Sequence, residues 1–464
     1  MQTGVIMYKN KLRFELRQLW QLTWPVLIGQ LATVGMGVVD VAMTGHLSAI
    51  DLASVSLGAN VWAIILVTVI GVMMSVNTIV AHEVGAERLG KLPHIVRQSL
   101  WLGFFTGVVA AVAMNIATLI FNYLQMEQVV NDKASTFVHI VSLGMPAFGM
   151  YRALYGYTTS LNQTKPVMVI AIIGLLFNIV FNWIFIYGRF GMPQLGSTGC
   201  ALATALGMWL MLGLMVWWVK RSPVYQETQP FGRFEAPCWN EIRSALKLGL
   251  PIGVTYFAEV SAFGAVGLLI ARFGVVPVSA NQITLNFSSL VFMVPMSIGI
   301  ALTTLTGQAL GEGDARRARY VSWMGVSLSL GFAVISALFI VLFRAEIVAA
   351  YTSDLAVQKL AMELLLFAAL FQLSDAQQVS TACAVRGYKV TRTPMLIHLL
   401  AFYGFALPIG VTLGLAPSWL PFAPAQPMAA HGFWIGIVVG LTVAAIALSW
   451  FLHKVSAQRV RAMA

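Results

Sequence analysis

The chain has 464 residues, 59% of them hydrophobic and only 10% charged, with a formal net charge of +11. A soluble domain is about 25% charged, so a soluble enzyme or nucleic-acid-binding module is excluded and a polytopic, all-α integral membrane protein is expected. The basic excess then reads as topology, because loops on the cytoplasmic side of a membrane are rich in Lys and Arg.

A membrane-crossing helix needs about 20 apolar residues. Lys9, Lys11, Arg13 and Arg17 precede the first apolar run, 22–44. That run exceeds the roughly 7–15 residues of a signal-peptide core and lacks a small-residue cleavage site, so it reads as a retained first helix. The pattern goes on to predict spans at 53–80, 98–122, 135–161, 166–187, 199–219, 245–271, 276–307, 320–343, 357–385, 395–415 and 429–453, twelve helices in all, with no long polar domain between them.

Alternate connections differ sharply in charge. The set containing both termini carries 22 Lys and Arg; the other carries five, Lys133, Arg189, Arg272, Arg344 and Lys359. Both termini are therefore expected in the cytoplasm. The uncharged segment 415–430 fits the outer side. Asn162-Gln163-Thr164 has the form of a glycosylation sequon, but it falls on the cytoplasmic side and reads as chance. Cys200, Cys238 and Cys383 are an odd, scattered set, which argues against a disulfide framework or a zinc site.

The long polar connection near 220–245 divides the helices six and six, into lobes 1–225 and 226–464, and the halves resemble each other. Pro25 and Pro251, Asn60 and Asn286, and Gly85 and Gly311 are each 226 residues apart. AHEVGAERLGK (81–91) aligns with GQALGEGDARR (307–317) at the same offset, and LNQTKPVM (161–168) with KVTRTPML (389–396) two residues later. Six spans return the chain to its starting side, so the repeats run parallel; such repeats commonly hold a substrate between them near mid-membrane.

Three acids fall inside spans: Asp40, Glu259 and Asp375. Placing Asp at a helix centre costs about 2.5–3.5 kcal/mol even on insertion-based scales, so each is expected to face a cavity or a partner. The alternative is a structural carboxylate paired with Arg152 or bonded to helix backbone. Arg152 itself lies near the cytoplasmic end of its span, where snorkelling is expected. Glu259 and Asp375 approach a similar depth from opposite sides. Two such carboxylates would not both carry charge easily, and the pair can hold a proton, or Na⁺ with help from neutral oxygens. Asn178 and Asn182, one turn apart, are candidate helpers for Asp40; hydrogen bonding within the bundle is the alternative. Tyr256, Phe257 and Phe263 flank Glu259, Phe371 lies near Asp375, and Phe287, Phe292 and Met293 occupy the eighth span. Each is a lipid-facing, core or pocket residue; aromatic faces attract organic cations and methionine adapts to varied ligands.

An enzyme would need a convergent catalytic set. The seven His are sparse, with His139 and His398 near span starts and the others at or beyond span ends, and no HExxH, GxSxG or P-loop occurs. A multi-subunit pore fits six-plus-six pseudo-symmetry poorly.

With WPVLIGQ, VDVAMTGHLS (Val39 to Ser48), the paired loops, the paired TKPVM and TRTPM segments and the placement of Glu259 and Asp375, the chain resembles the multidrug and toxic compound extrusion (MATE) family over essentially its whole length, and its NorM branch in particular. It departs from the pattern at Arg88, where the second half has Asp314. That loop is also similar to one in major-facilitator transporters, so a proton/drug antiporter of that type is a rival. A lipid-linked precursor flippase of the same superfamily is another, although the intramembrane charges here are mainly acidic.

The resemblance implies two pseudo-symmetric six-helix lobes around a V-shaped cleft. It implies a monomeric, multi-pass exporter in the bacterial cytoplasmic (inner) membrane, surrounded by lipid. That exporter would expel cationic lipophilic drugs and dyes against inward Na⁺ or H⁺, without cofactor, with the NorM likeness favouring Na⁺. By the same resemblance Glu259 and Asp375 bind the coupling cation, and Asp40 with Asn178 and Asn182 forms a polar site in the first lobe. Gln282 and Asp354 match positions associated with cation or substrate contact in relatives; for Asp354, a solvated loop acid is the alternative. With Asp40, Asp375 and the pocket candidates Phe287 and Phe292 they make up the expected substrate-binding set.

Overall fold

The computed structural model describes residues 2–123, 127–417 and 424–462, with side chains for all of these except 2–11, 122 and 123. The Lys9 and Lys11 side chains and part of the uncharged segment 415–430 thus lie outside the described residues. Among the described residues all regular structure is helical: α1 Gln2–Leu47, α2 Ala49–Gly85, α3 Leu92–Ala117, α4 Gln128–Ser142, α5 Met145–Ser160, α6 Lys165–Tyr187, α7 Ser197–Arg221, α8 Trp239–Ile270, α9 Val275–Gly311, α10 Ala315–Ala349, α11 Leu355–Gly387, α12 Arg392–Leu415 and α13 Ala429–Ala462.

Among the described residues, eleven helices are long and apolar enough to cross a membrane. The remaining expected span, 135–161, is two shorter helices, α4 and α5. The cause lies at Pro146, in the first turn of α5. Its ring would clash with the Ser142 carbonyl if the helix continued, so α4 ends there and Gly144 N–H turns back to the Val141 carbonyl at 2.9 Å.

The repeat read from the sequence reappears in helix lengths. Helices α2 and α9 are both 37 residues long, and their ends stand 226 positions apart. The broken pair α4–α5 occupies 128–160, and continuous α11 occupies 355–387. One copy is thus interrupted where the other runs through.

By packing, Gln21–Phe257 forms one compact unit, and the chain from Ala258 onward, with the segment up to Trp20, forms another. In the first unit, Pro25 has no N–H for the Gln21 carbonyl; the Thr164 hydroxyl donates to that oxygen instead, at 3.4 Å. Helices α3 and α5 pack closely because Gly103 and Gly149 face each other, each without room for a Cβ. Lipid supplies no hydrophobic drive between helices, so such small-residue contacts carry their association. In the second unit α11 packs against α9, α10 and α13, and α12 packs against α13 through Gly410, Gly414, Gly432 and Gly436. Within α12 the turn Leu400–Ala406 widens to a π-helix. Pro408 explains it: the Gly404 carbonyl loses its helical donor and the ring crowds it, so the helix loosens over that turn.

The connection after α7 is strapped to α3. Arg97 donates to Glu235 at 2.5 Å, His94 lies 2.7 Å from the same carboxylate, and the Trp101 indole donates to the Glu235 carbonyl at 2.9 Å. Arg97 first, and then His94, hold the Glu235 carboxyl down at about 2.

Two outcomes are expected. Gly149→Leu overpacks α3 against α5, at a cost of roughly 1–3 kcal/mol, and lowers the melting temperature in detergent. Gly213→Leu, where nothing lies within 4 Å of the added Cβ, leaves it unchanged. Because the folded Glu235 pKa is depressed, the strap is at full strength above the ordinary glutamate value of about 4.3 and is lost as pH falls toward 2. Hydrogen exchange over 222–238, corrected for intrinsic rate, should rise through that window in wild type. In Glu235→Gln it should be fast and flat with pH; equal protection in both proteins contradicts the strap.

Candidate functional site

Each unit buries a polar centre. In the first unit, α1 carries Asp40, 5% exposed, against α6. Asn178 and Asn182 are one turn apart on α6, so both amides reach the same carboxylate oxygen. Asn178 Nδ2 donates to Asp40 Oδ1 at 3.0 Å and Asn182 Nδ2 at 2.6 Å. Thr204 on α7 approaches the other oxygen at 3.5 Å. The three residues read together from the sequence are in contact; Thr204 was not foreseen, since a lone Thr in an apolar helix gives no distinguishing signal.

Asp40 opens onto a cavity of about 290 Å³. Its walls include Trp62, Phe148, Tyr151, Tyr155, Met208 and Met211. Arg152 also lines it. The snorkelling expectation for Arg152 is therefore corrected: the residue is buried, 8% exposed, with its guanidinium 4.1 Å from the centre of the Tyr155 ring. Helix α5 starts afresh after the break, and this turns position 152 inward rather than along the lipid. The cavity thus presents one acid, one base and several aromatic faces.

In the second unit, α8 brings Glu259 and α11 brings Asp375. Asp375 is buried, and Glu259 keeps partial exposure. One amide joins them. Gln378, one turn beyond Asp375, donates Nε2 to Asp375 Oδ1 at 3.0 Å and to Glu259 Oε1 at 3.5 Å. Behind it, His398 Nε2 lies 2.5 Å from Gln378 Oε1, and His398 Nδ1 lies 2.7 Å from the Pro394 carbonyl oxygen. His398, expected near a span start, is packed inside the bundle, 1% exposed. The usable signal was an ionisable residue within an apolar run. Arg386, in the last turn of α11, is buried close enough for its charge to act on both Glu259 and His398. The floor is aromatic: Phe263 meets Phe371 and Phe402 edge-on, Phe371 meets Trp434, and Phe402 stacks on His398.

The other sequence candidates fall elsewhere. Asp354 is exposed and caps α11, its Oδ1 accepting from Ala356 N–H at 2.8 Å and Val357 N–H at 3.3 Å. Gln282 is exposed on α9, while Phe287 and Phe292 are half-buried there, Phe287 against the core. Among the described residues no hydrogen bond joins Gln282 or Asp354 to Glu259 or Asp375.

Among the described residues no group of three or more His, Cys, Asp or Glu is placed to hold a metal ion. The acid pair offers hard oxygen donors instead, chemistry suited to a proton or a hard cation. None of Asp40, Glu259 and Asp375 takes part in any ion pair of the described residues.

Comparison with known proteins agrees with this architecture. The MatE family model matches twice, over residues 25–184 and 251–412. The multidrug resistance protein PmpM of Pseudomonas aeruginosa is 40% identical over 97% of this chain and 94% of its own length. The multidrug resistance protein NorM of Vibrio cholerae is 39% identical over 97% of both chains. Among solved structures, that of the eukaryotic MATE transporter AtDTX14 superposes with a TM-score of 0.87 at 18% identity, covering 98% of this chain and all of that one, and so supports the fold. A doubled family match over most of the chain and full-length likeness to these relatives leave one conclusion: the chain belongs to the MATE family of multi-pass membrane transporters and is not an enzyme.

Proposed function

We propose that this chain is a cation-coupled multidrug antiporter. It exports cationic, lipophilic drugs and dyes from the cytoplasm by alternating access, in exchange for inward Na⁺ or H⁺. The observation that carries the reading is the acid pair: Glu259 and Asp375 share a single amide donor and no ion pair. Two negative charges with one neutral donor between them, and with the Arg386 guanidinium acting only from beyond ion-pair distance, are under-compensated in a low-dielectric setting. A cation is what the pair lacks, and its departure restores the need.

The substrate class rests on the first centre. A carboxylate, aromatic faces and methionines around one cavity suit flat organic cations, with the Arg152 guanidinium in the same wall engaged on the Tyr155 ring. The expected set of Asp40, Gln282, Phe287, Phe292, Asp354 and Asp375 remains the candidate substrate surface, with Asp354 weakest because its carboxylate already caps a helix. Relatives bearing multidrug resistance names support the class.

Both termini lie in the cytoplasm, on the strength of the 22-to-five division of basic residues, and the likeness to bacterial relatives supports placement in the inner membrane. Lobes 1–225 and 226–464 are the moving halves, and one chain suffices. Antiport requires that cation and drug favour different states, since a ligand of equal affinity for both shifts nothing. The driving force is about 2.3 kcal/mol per charge per 100 mV, with about 1.4 kcal/mol more for each tenfold ion gradient.

In reconstituted vesicles, Glu259→Gln and Asp375→Asn should each abolish ethidium efflux while expression and melting stay near wild type; wild-type transport by either variant removes that residue from the mechanism. A Na⁺ gradient imposed at fixed pH, set against a pH gradient at fixed Na⁺, assigns the ion. Sodium coupling predicts stimulation in the first arm, and proton coupling only in the second.

A further inference from the structure

The contacts of Gln378 contain a donor–acceptor conflict. The Pro394 carbonyl can only accept, so at 2.7 Å it fixes a proton on His398 Nδ1. In a neutral ring Nε2 is then an acceptor, yet it faces an amide oxygen at 2.5 Å. The arrangement is satisfied only by a ring with protons on both nitrogens. A half-turn of the amide about its last bond exchanges O for NH₂ in the same volume and satisfies a neutral ring instead. That turn aims the amide oxygen at Asp375 and Glu259, which is repulsive when both are bare carboxylates and favourable when a cation or proton lies among them. Full burial disfavours a charged ring there. The ring therefore pulls the amide toward the orientation that a loaded site needs.

We propose that Gln378, held from behind by His398, is a turnable third arm of the acid pair. Its NH₂ faces Glu259 and Asp375 when the coupling cation has left, and its oxygen faces them when the cation is bound. His398 is the positioning residue that biases the turn toward the bound state. The proposal rests on the reading that Glu259 and Asp375 take the coupling cation. The neighbourhood fits a device of this size. Phe402 stacks on the ring with centroids 6.3 Å apart, and the π-helical turn that begins at Leu400 starts two residues after His398. The titratable and charged groups nearby are Glu259, Asp375, Cys383 and Arg386; Cys383 Sγ accepts from Arg386 at 3.4 Å.

The test is a cycle of variants in vesicles, reading ethidium efflux against concentration of the coupling cation. His398→Phe should raise the cation KM about tenfold, the weight of one hydrogen bond, with the saturated rate little changed. In a Gln378→Met background the same change should leave KM within about twofold, because His398 acts only through that amide. His398→Gln, whose side-chain oxygen can accept from the turned NH₂, should restore most of the loss. An unchanged KM in His398→Phe, or an equal rise with and without Gln378, overturns the proposal while the acid-pair reading stands. Wild type with no cation-dependent efflux overturns both. Should His398→Phe fail to fold, nitrogen-15 spectra of wild-type histidines, with His398 assigned from His398→Gln, decide the matter. Nε2 stays unprotonated throughout; adding cation should give it a hydrogen bond from the turned NH₂ and so shift its nitrogen resonance, leaving Nδ1 alone; an unmoved Nε2 overturns the proposal.

Discussion

A carboxylate in a low-dielectric interior must have its charge answered, and this chain answers it in two different ways. Asp40 is met by two amides on one oxygen and a hydroxyl near the other, all neutral and all within one compact unit. Glu259 and Asp375 share one amide between them. The first centre is close to satisfied as it stands; the second wants positive charge. That difference in donor supply separates a binding pocket that tolerates an organic cation from a pair that exchanges an inorganic one. It also explains why, among the described residues, no ion pair holds any of the three: a permanent guanidinium partner would hold the charge and end the exchange.

The helices place these groups through small local causes. A proline at 146 breaks one span and turns Arg152 into the cavity that Asp40 lines. Facing glycines at 103 and 149 let α3 and α5 approach closely, which brings the short α5 against its neighbour despite its length. In the second unit, proline at 408 loosens α12 just after His398, and glycine pairs lock the far part of the same helix to α13. The helix beside the acid pair is thus closely packed over its second half and widened in its middle.

Much of this was readable from the chain alone, for reasons that differ by residue. Span positions follow from the apolar runs, and the repeat from landmarks such as Pro25 and Pro251. The repeat was visible because paired prolines and glycines punctuate the helices at a common offset, and helix ends then fall at that offset too. The acids stood out because charge in an apolar run is costly. Asn178 and Asn182 could be placed with Asp40 because one helical turn separates them. What escaped was whatever depends on a helix's rotation about its axis. Whether Arg152 faces lipid or cavity, and whether His398 sits at the interface or behind Gln378, is set by how α5 and α12 pack, and hydropathy carries no such angle. Gln378 was in reach in principle, since it lies one turn from Asp375, but an amide in an apolar helix is usually a bundle contact. Asp354 shows the converse, a residue singled out by resemblance whose carboxylate is occupied in capping its own helix.

The most direct measurement of the exchange is the reverse of efflux. Vesicles containing the protein are held with no cation gradient and no potential, ethidium is placed at high concentration on one side only, and movement of Na⁺ or H⁺ is followed. Coupling is reciprocal, so downhill drug should drive the cation uphill the other way, and replacement of the Glu259 carboxylate should abolish that movement. Drug crossing at the wild-type rate while neither cation moves would contradict the account at its centre.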